Sequence, residues 1–200
     1  MASRITSVAA VSLAAATAAL AACGGGERQD ADEPAGDYAL EVTEASFPRE
    51  QSLAGRATLA IAVRNTGDEA LPNVAVTVET ARRGSDDRAR EAFGEHVEGG
   101  GLADAARPVW IVDRQPAGGT TAYTNTWTLG RLAPGATARF EWGLTPVRGG
   151  EFTVRYRVSP GLDPGTRPAR GARTRGRLRV SISEAPSEPV ASAGGQAIGE

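Results

Sequence analysis

The stretch LAIAVRNTGDEALPNVAVTV, residues 59–78, decides the fold class. Leu59, Ile61 and Val63 fall on one side of an extended chain, opposed by Thr58, Ala60, Ala62 and Arg64. Val74, Val76 and Val78 repeat the pattern, with Ala75, Thr77 and Glu79 opposite. Successive side chains of a strand point to opposite faces, so a period of two with one apolar face marks a half-buried strand. Between the runs lies Asn65-Thr66-Gly67-Asp68, whose residue types accept the backbone angles of a turn.

The same alternation extends in both directions. It recurs in Leu40 and Val42, in Tyr123, Asn125, Trp127 and Leu129, and in Phe140, Trp142 and Leu144. Phe152, Val154, Tyr156 and Val158 follow, then Leu178, Val180 and Ile182. Ala133-Pro134-Gly135, Arg148-Gly149-Gly150 and Ser159-Pro160-Gly161 supply turns between them. No helices separate these runs, which argues against a parallel sheet. The expectation is an all-β fold, an antiparallel β-sandwich of seven to eight strands spanning residues 37–183, with two sheets packed face to face. One stretch departs from the period: residues 84–98, GSDDRAREAFGEHVE, put Ser85 at a helix N-cap position and space Ala89, Phe93 and Val97 by four. A short helix is expected there, inside an insertion at about residues 81–107.

Residues 59–78, the run LGRLAPGATARFEW (129–142) and the run GGEFTVRYRV (149–158) resemble the immunoglobulin-like modules of bacterial surface proteins, the CARDB and DUF11 type. In those modules an apolar strand ends in Asn-Thr-Gly, and a Leu-x-Pro-Gly turn precedes a late hairpin. The resemblance covers residues 38–183 and implies an immunoglobulin-like sandwich, a statement about fold far more than about function. The insertion and the run 108–127 are not typical of the short modules. The latter resembles a feature of lipoproteins from high-GC bacteria and implies no particular activity.

The N-terminus carries a different signal. Arg4 precedes an alanine-rich apolar stretch from Ile5 to Leu20, the layout of an export signal over residues 1–22. It is too short and too weakly apolar for a permanent span. Leu20-Ala21-Ala22-Cys23 resembles the lipobox of bacterial lipoproteins. The resemblance implies cleavage between Ala22 and Cys23 and a diacylglyceryl group on the Cys23 thiol. Cys23 is the only cysteine, so no internal disulfide can form. Residues 23–36 then read as the lipidated cysteine and a flexible acidic tether, and residues 184–200, rich in Ala, Pro, Ser and Gly, as a disordered tail. The expected location is the outer face of the cell membrane, in the cell envelope, with the membrane engaged through the N-terminal lipid.

The net charge of −2 gives no steering toward nucleic acid. Arg167, Arg170, Arg173, Arg175, Arg177 and Arg179 cluster late in the chain, where they read as a solvated loop and strand face. His96 is the only histidine. With Ser85, Asp86 and Asp87 it would lie on one short segment, whereas a triad converges from several elements. Glu91, Glu95 and His96 lack a second histidine or a thiolate to make a metal site. No enzyme, metal or cofactor is expected; the one carboxylate pair considered for hydrolysis is Asp104 with Asp113. The expected role is a non-enzymatic interaction module with a protein or cell-wall partner, or alternatively an accessory lipoprotein of an envelope enzyme or transporter complex. Phe93, His96, Trp110 and Tyr123 are the candidate binding-surface residues, while Trp142, in register with Phe140 and Leu144, belongs to the core.

Overall fold

Leu59, Ile61 and Val63 are wholly shielded from solvent, and so are Phe140 and Trp142. The two segments pair antiparallel, with Ile61 opposite Phe140 and Leu59 opposite Trp142, so one apolar face forms from both. The computed structural model describes residues 30, 32–82, 90–91, 93–94 and 108–186. In chain order its strands are β1 (Gly36–Tyr38), β2 (Leu40–Ser46), β3 (Glu50–Leu53), β4 (Ala57–Asn65), β5 (Ala75–Arg82), β6 (Arg90–Glu91) and β7 (Phe93–Gly94). They continue with β8 (Trp110–Arg114), β9 (Thr120–Tyr123), β10 (Thr126–Thr128), β11 (Thr137–Pro146), β12 (Gly150–Ser159), β13 (Thr166–Pro168) and β14 (Arg175–Pro186).

The described residues contain no helix and form a sandwich. A seven-stranded sheet runs β3-β14-β12-β5-β10-β9, with β6 added to β5, and a five-stranded sheet runs β2-β4-β11-β8-β7. A small ladder of β1 with β13 lies apart from both. The core between the sheets is built from their inward residues, including Val76, Val78, Val154 and Val180 from the large sheet and Leu59, Val63 and Leu144 from the small one.

Aromatic rings link the two layers. Trp110 of the small sheet meets Phe47 at 5.3 Å and Phe152 of the large sheet at 5.8 Å between ring centroids. Its indole N–H donates to Gln51 Oε1 at 2.7 Å, so the one polar atom of this buried ring is satisfied across the sandwich. Trp127 and Trp142 meet edge to face at 5.4 Å, again one from each sheet.

Two turn motifs are latched together by one asparagine. Asn65 is fully buried; its amide nitrogen donates to the carbonyls of Glu69 (2.8 Å) and Leu132 (3.0 Å), and its side-chain oxygen accepts from Gly67 N–H (3.0 Å). Its backbone also pairs with Gly135 and Ala136. The Asn-Thr-Gly and Leu-x-Pro-Gly turns therefore hold each other, and every polar atom of the buried side chain has a partner.

Several expectations are corrected. The expected short helix over 84–98 does not form where that segment is described: Arg90–Glu91 pairs with Glu79 and Thr80 of β5, and Phe93–Gly94 pairs with β8. Extended chain satisfies open strand edges on both sheets, and it drops Phe93 between Trp127 and Trp142, at 5.7 and 6.3 Å. Fourteen strands among the described residues replace seven to eight, because short polar strands such as β3 carry no apolar alternation. The run from Tyr123 to Leu129 is a hairpin end, since Asn125 sits at φ 62°, a left-handed conformation that Asn tolerates better than most residues. Pairing is mixed, with β1–β13, β3–β14 and β7–β8 parallel.

Phe93 fills a site that its neighbours cannot close. Phe93→Ala is expected to lower unfolding free energy by about 3–5 kcal/mol, measured by equilibrium chemical denaturation.

Candidate interaction surfaces

The candidate residues separate by burial. Phe93 is 7% exposed and Trp110 is 0% exposed, so both belong to the core and present no surface to a partner. Tyr123 is 49% exposed. Ala22, Cys23 and His96 lie outside the described residues, as does Asp104, the carboxylate considered with Asp113. Asp113 itself accepts a hydrogen bond from Thr145 Oγ1 at 2.6 Å. It lines a cleft of about 420 Å³ with Arg56, Thr58 and Arg114. Among the described residues no group of three or more His, Cys, Asp or Glu side chains could hold a metal ion.

Tyr123 stands at the end of β9, whose outer side closes the seven-stranded sheet without a further strand among the described residues. Thr120, Thr121 and Tyr123 are exposed along this edge. Such an edge offers backbone N–H and C=O groups to an added strand. The Tyr123 hydroxyl donates to Asp30 Oδ2 at 3.0 Å.

That contact begins a docked N-terminal segment. Glu33 Oε2 accepts from the backbone N–H groups of Leu162 (2.6 Å) and Asp163 (2.8 Å), and Tyr38 Oη donates to the Pro34 carbonyl (3.0 Å). β1 then pairs in parallel with β13, Gly36 opposite Thr166. Gly161 is required by this approach, because a Cβ there would stand 2.3 Å from Glu33 Oε2. Residues 32–36, read from the sequence as tether, thus lie against the sandwich. The sequence signal was faint: one carboxylate before Pro34, and a Pro160-Gly161 pair far along the chain.

The outer faces of the two sheets differ in charge. On the small sheet Arg139 ion-pairs with both Glu44 and Glu141, and Arg114 reaches Glu141 at 3.5 Å. The Arg139 guanidinium holds the Glu44 carboxyl below its ordinary range, and Arg139 is correspondingly raised. On the large sheet a cleft of about 440 Å³ is lined by Thr77, Glu79, Arg155, Tyr156, Arg157, Arg175, Gly176 and Arg177. Burial pushes the Tyr156 hydroxyl up from its usual pKa, so it stays protonated across the physiological range.

No protein-family model matches the chain, and no curated protein matches it. Among solved structures, the CARDB domain of a Pyrococcus furiosus protein, in complex with di-metal ions, is 14% identical, with a TM-score of 0.42 over 73% of this chain and 92% of that one. Native alpha-2-macroglobulin from Escherichia coli, from domain MG7 to its C-terminus, is 13% identical, with a TM-score of 0.43 over 74% of this chain and 17% of that one. A Salmonella alpha-2-macroglobulin mutant is 12% identical, with a TM-score of 0.40 over 72% of this chain and 7% of that one. Likeness this slight assigns neither family nor ligand.

The Glu33 carboxylate accepts two backbone donors that lose their acceptor together when it is removed. Glu33→Ala is expected to cost about 1.5–3 kcal/mol of stability, measured by urea denaturation; an unchanged midpoint would mean that the segment contributes nothing to the fold.

Proposed function

We propose that this chain is a cell-envelope lipoprotein, held on the outer face of the membrane by lipid on Cys23, whose immunoglobulin-like domain is a non-enzymatic interaction module for a protein or cell-wall partner. The observation that carries the reading is the joining of two features: a complete Leu-Ala-Ala-Cys sequence at 20–23, and a body that begins only a few residues later, at Asp30 on Tyr123. Two acyl chains at about 0.8 kcal/mol per buried CH₂ would make the attachment durable. The open edge of β9 then supplies a strand-pairing surface, with Tyr123 beside it as a rigid amphipathic contact.

The test uses Cys23→Ser in the native host. Loss of lipid labelling and movement out of the processed membrane fraction are expected; normal cleavage with full membrane retention would contradict the anchor. In the same cells, a photocrosslinker at Thr121 is expected to trap a discrete adduct that a crosslinker at Thr58, on the opposite face, does not. Identical patterns from both positions would remove β9 as the contact.

A further inference from the structure

The outer face of β5, β12 and β14 carries five arginines, Arg155, Arg157, Arg175, Arg177 and Arg179, against two carboxylates, Glu79 and Glu151. Arg157 is the cross-strand partner of Arg175, and Arg155 of Arg177, while Arg179 lies opposite Thr153. Directly opposed residues of an antiparallel pair project from the same face, and like charges so placed are destabilising. Among the described residues the side chains of Arg157, Arg175, Arg177 and Arg179 have no hydrogen-bond or ion-pair partner; Arg155 has Glu79 as its cross-strand neighbour on β5. The small sheet, by contrast, pairs its outward Arg139 with Glu44 and Glu141. A fold that balances charge on one outer face and leaves an excess of arginine on the other has a face suited to an anionic surface.

The N-terminal segment places that face near its own anchor. Tyr123 is the register partner of Thr126, Thr126 of Thr77, and Thr77 of Arg157, so one row crosses the sheet from Asp30's partner to the cleft. The Thr77 and Thr126 hydroxyls, 3.0 Å apart, confirm the shared face. At roughly 4.8 Å per strand, Tyr123 lies about 14 Å from Arg157 along this row. Asp30 lies seven positions after Cys23, a span of at most about 25 Å even if fully extended.

We propose that the arginine face of β12 and β14 docks on the anionic phospholipid head groups of the membrane that holds the chain. The phosphate is the ligand and the guanidinium fork its receptor. The inference rests on lipidation of Cys23 and adds a second signal to it. Each arginine at an anionic leaflet contributes roughly fivefold in partitioning, so the docked orientation should persist at low salt and weaken as salt rises.

The test uses the intact lipidated protein reconstituted on vesicles of phosphatidylcholine alone or with phosphatidylglycerol, each carrying a dansyl head-group lipid. Trp110, Trp127 and Trp142 are all in the core, so their energy transfer to the dye reports the distance of the body from the surface. The expected result is retention on both vesicles, greater transfer with phosphatidylglycerol, and loss of that gain in high salt and in R157Q/R175Q/R177Q. Retention on both with equal transfer overturns the proposal and leaves the anchor standing. Retention only on phosphatidylglycerol shows that the lipid alone does not hold the chain, which overturns the anchor as the primary attachment while supporting the arginine contact; retention on neither overturns both. A gain that survives in the triple variant also overturns it. So does equal transfer on both vesicles with variant-sensitive binding of soluble polyphosphate, which would make a soluble polyanion the ligand.

Discussion

The structure depends on a seam of aromatic rings between its two sheets. Trp127 from the large sheet and Trp142 from the small one meet edge to face, Phe93 is wedged against both, and Phe140 stacks on Trp142 at 5.9 Å. Trp110 makes the second link, between Phe47 and Phe152. Much of the chain's apolar content is alanine, which buries little area, so a few large rings carry a disproportionate share of the inter-layer contact. β6 pairs with the large sheet and β7 with the small one, which sets Phe93 of β7 in this seam.

A second constraint acts at the end of the sandwich. The buried Asn65 ties two turns, while Glu33 and β1 close over the loop from Pro160 to Thr166. With no disulfide available to a chain of one cysteine, hydrogen bonds to turn backbone do the stapling. The N-terminal segment thereby becomes part of the domain, and whatever is attached upstream of it inherits a short reach.

The alternating valine, leucine and isoleucine runs of β4, β5, β11, β12 and β14 were legible because each lays one apolar stripe against the opposite sheet. Phe93 was misread for the opposite reason: its spacing of four from Ala89 and Val97 mimics a helix, and only the tertiary demand of two tryptophans makes it extended. Asn125 sat in phase with Tyr123 and Trp127, yet its polarity belongs to a turn. Of the candidate surface residues, Tyr123 is exposed while Phe93 and Trp110 are core, since aromaticity alone does not reveal which side of a strand faces solvent. The arginine cluster was visible in one dimension; the opposition of Arg157 to Arg175 exists only in the ladder.

The folded domain includes residues 32–36, held by the Glu33 contact and the β1–β13 ladder. Native-state hydrogen exchange tests this most directly, because Gly36 N–H donates to Gly165 O at 3.0 Å and the Leu162 and Asp163 amides donate to Glu33. These amides are predicted to exchange far more slowly than in an unstructured peptide, with opening coupled to the sandwich. Exchange at peptide rates for all three, while Ile61 and Val154 stay protected, would contradict it.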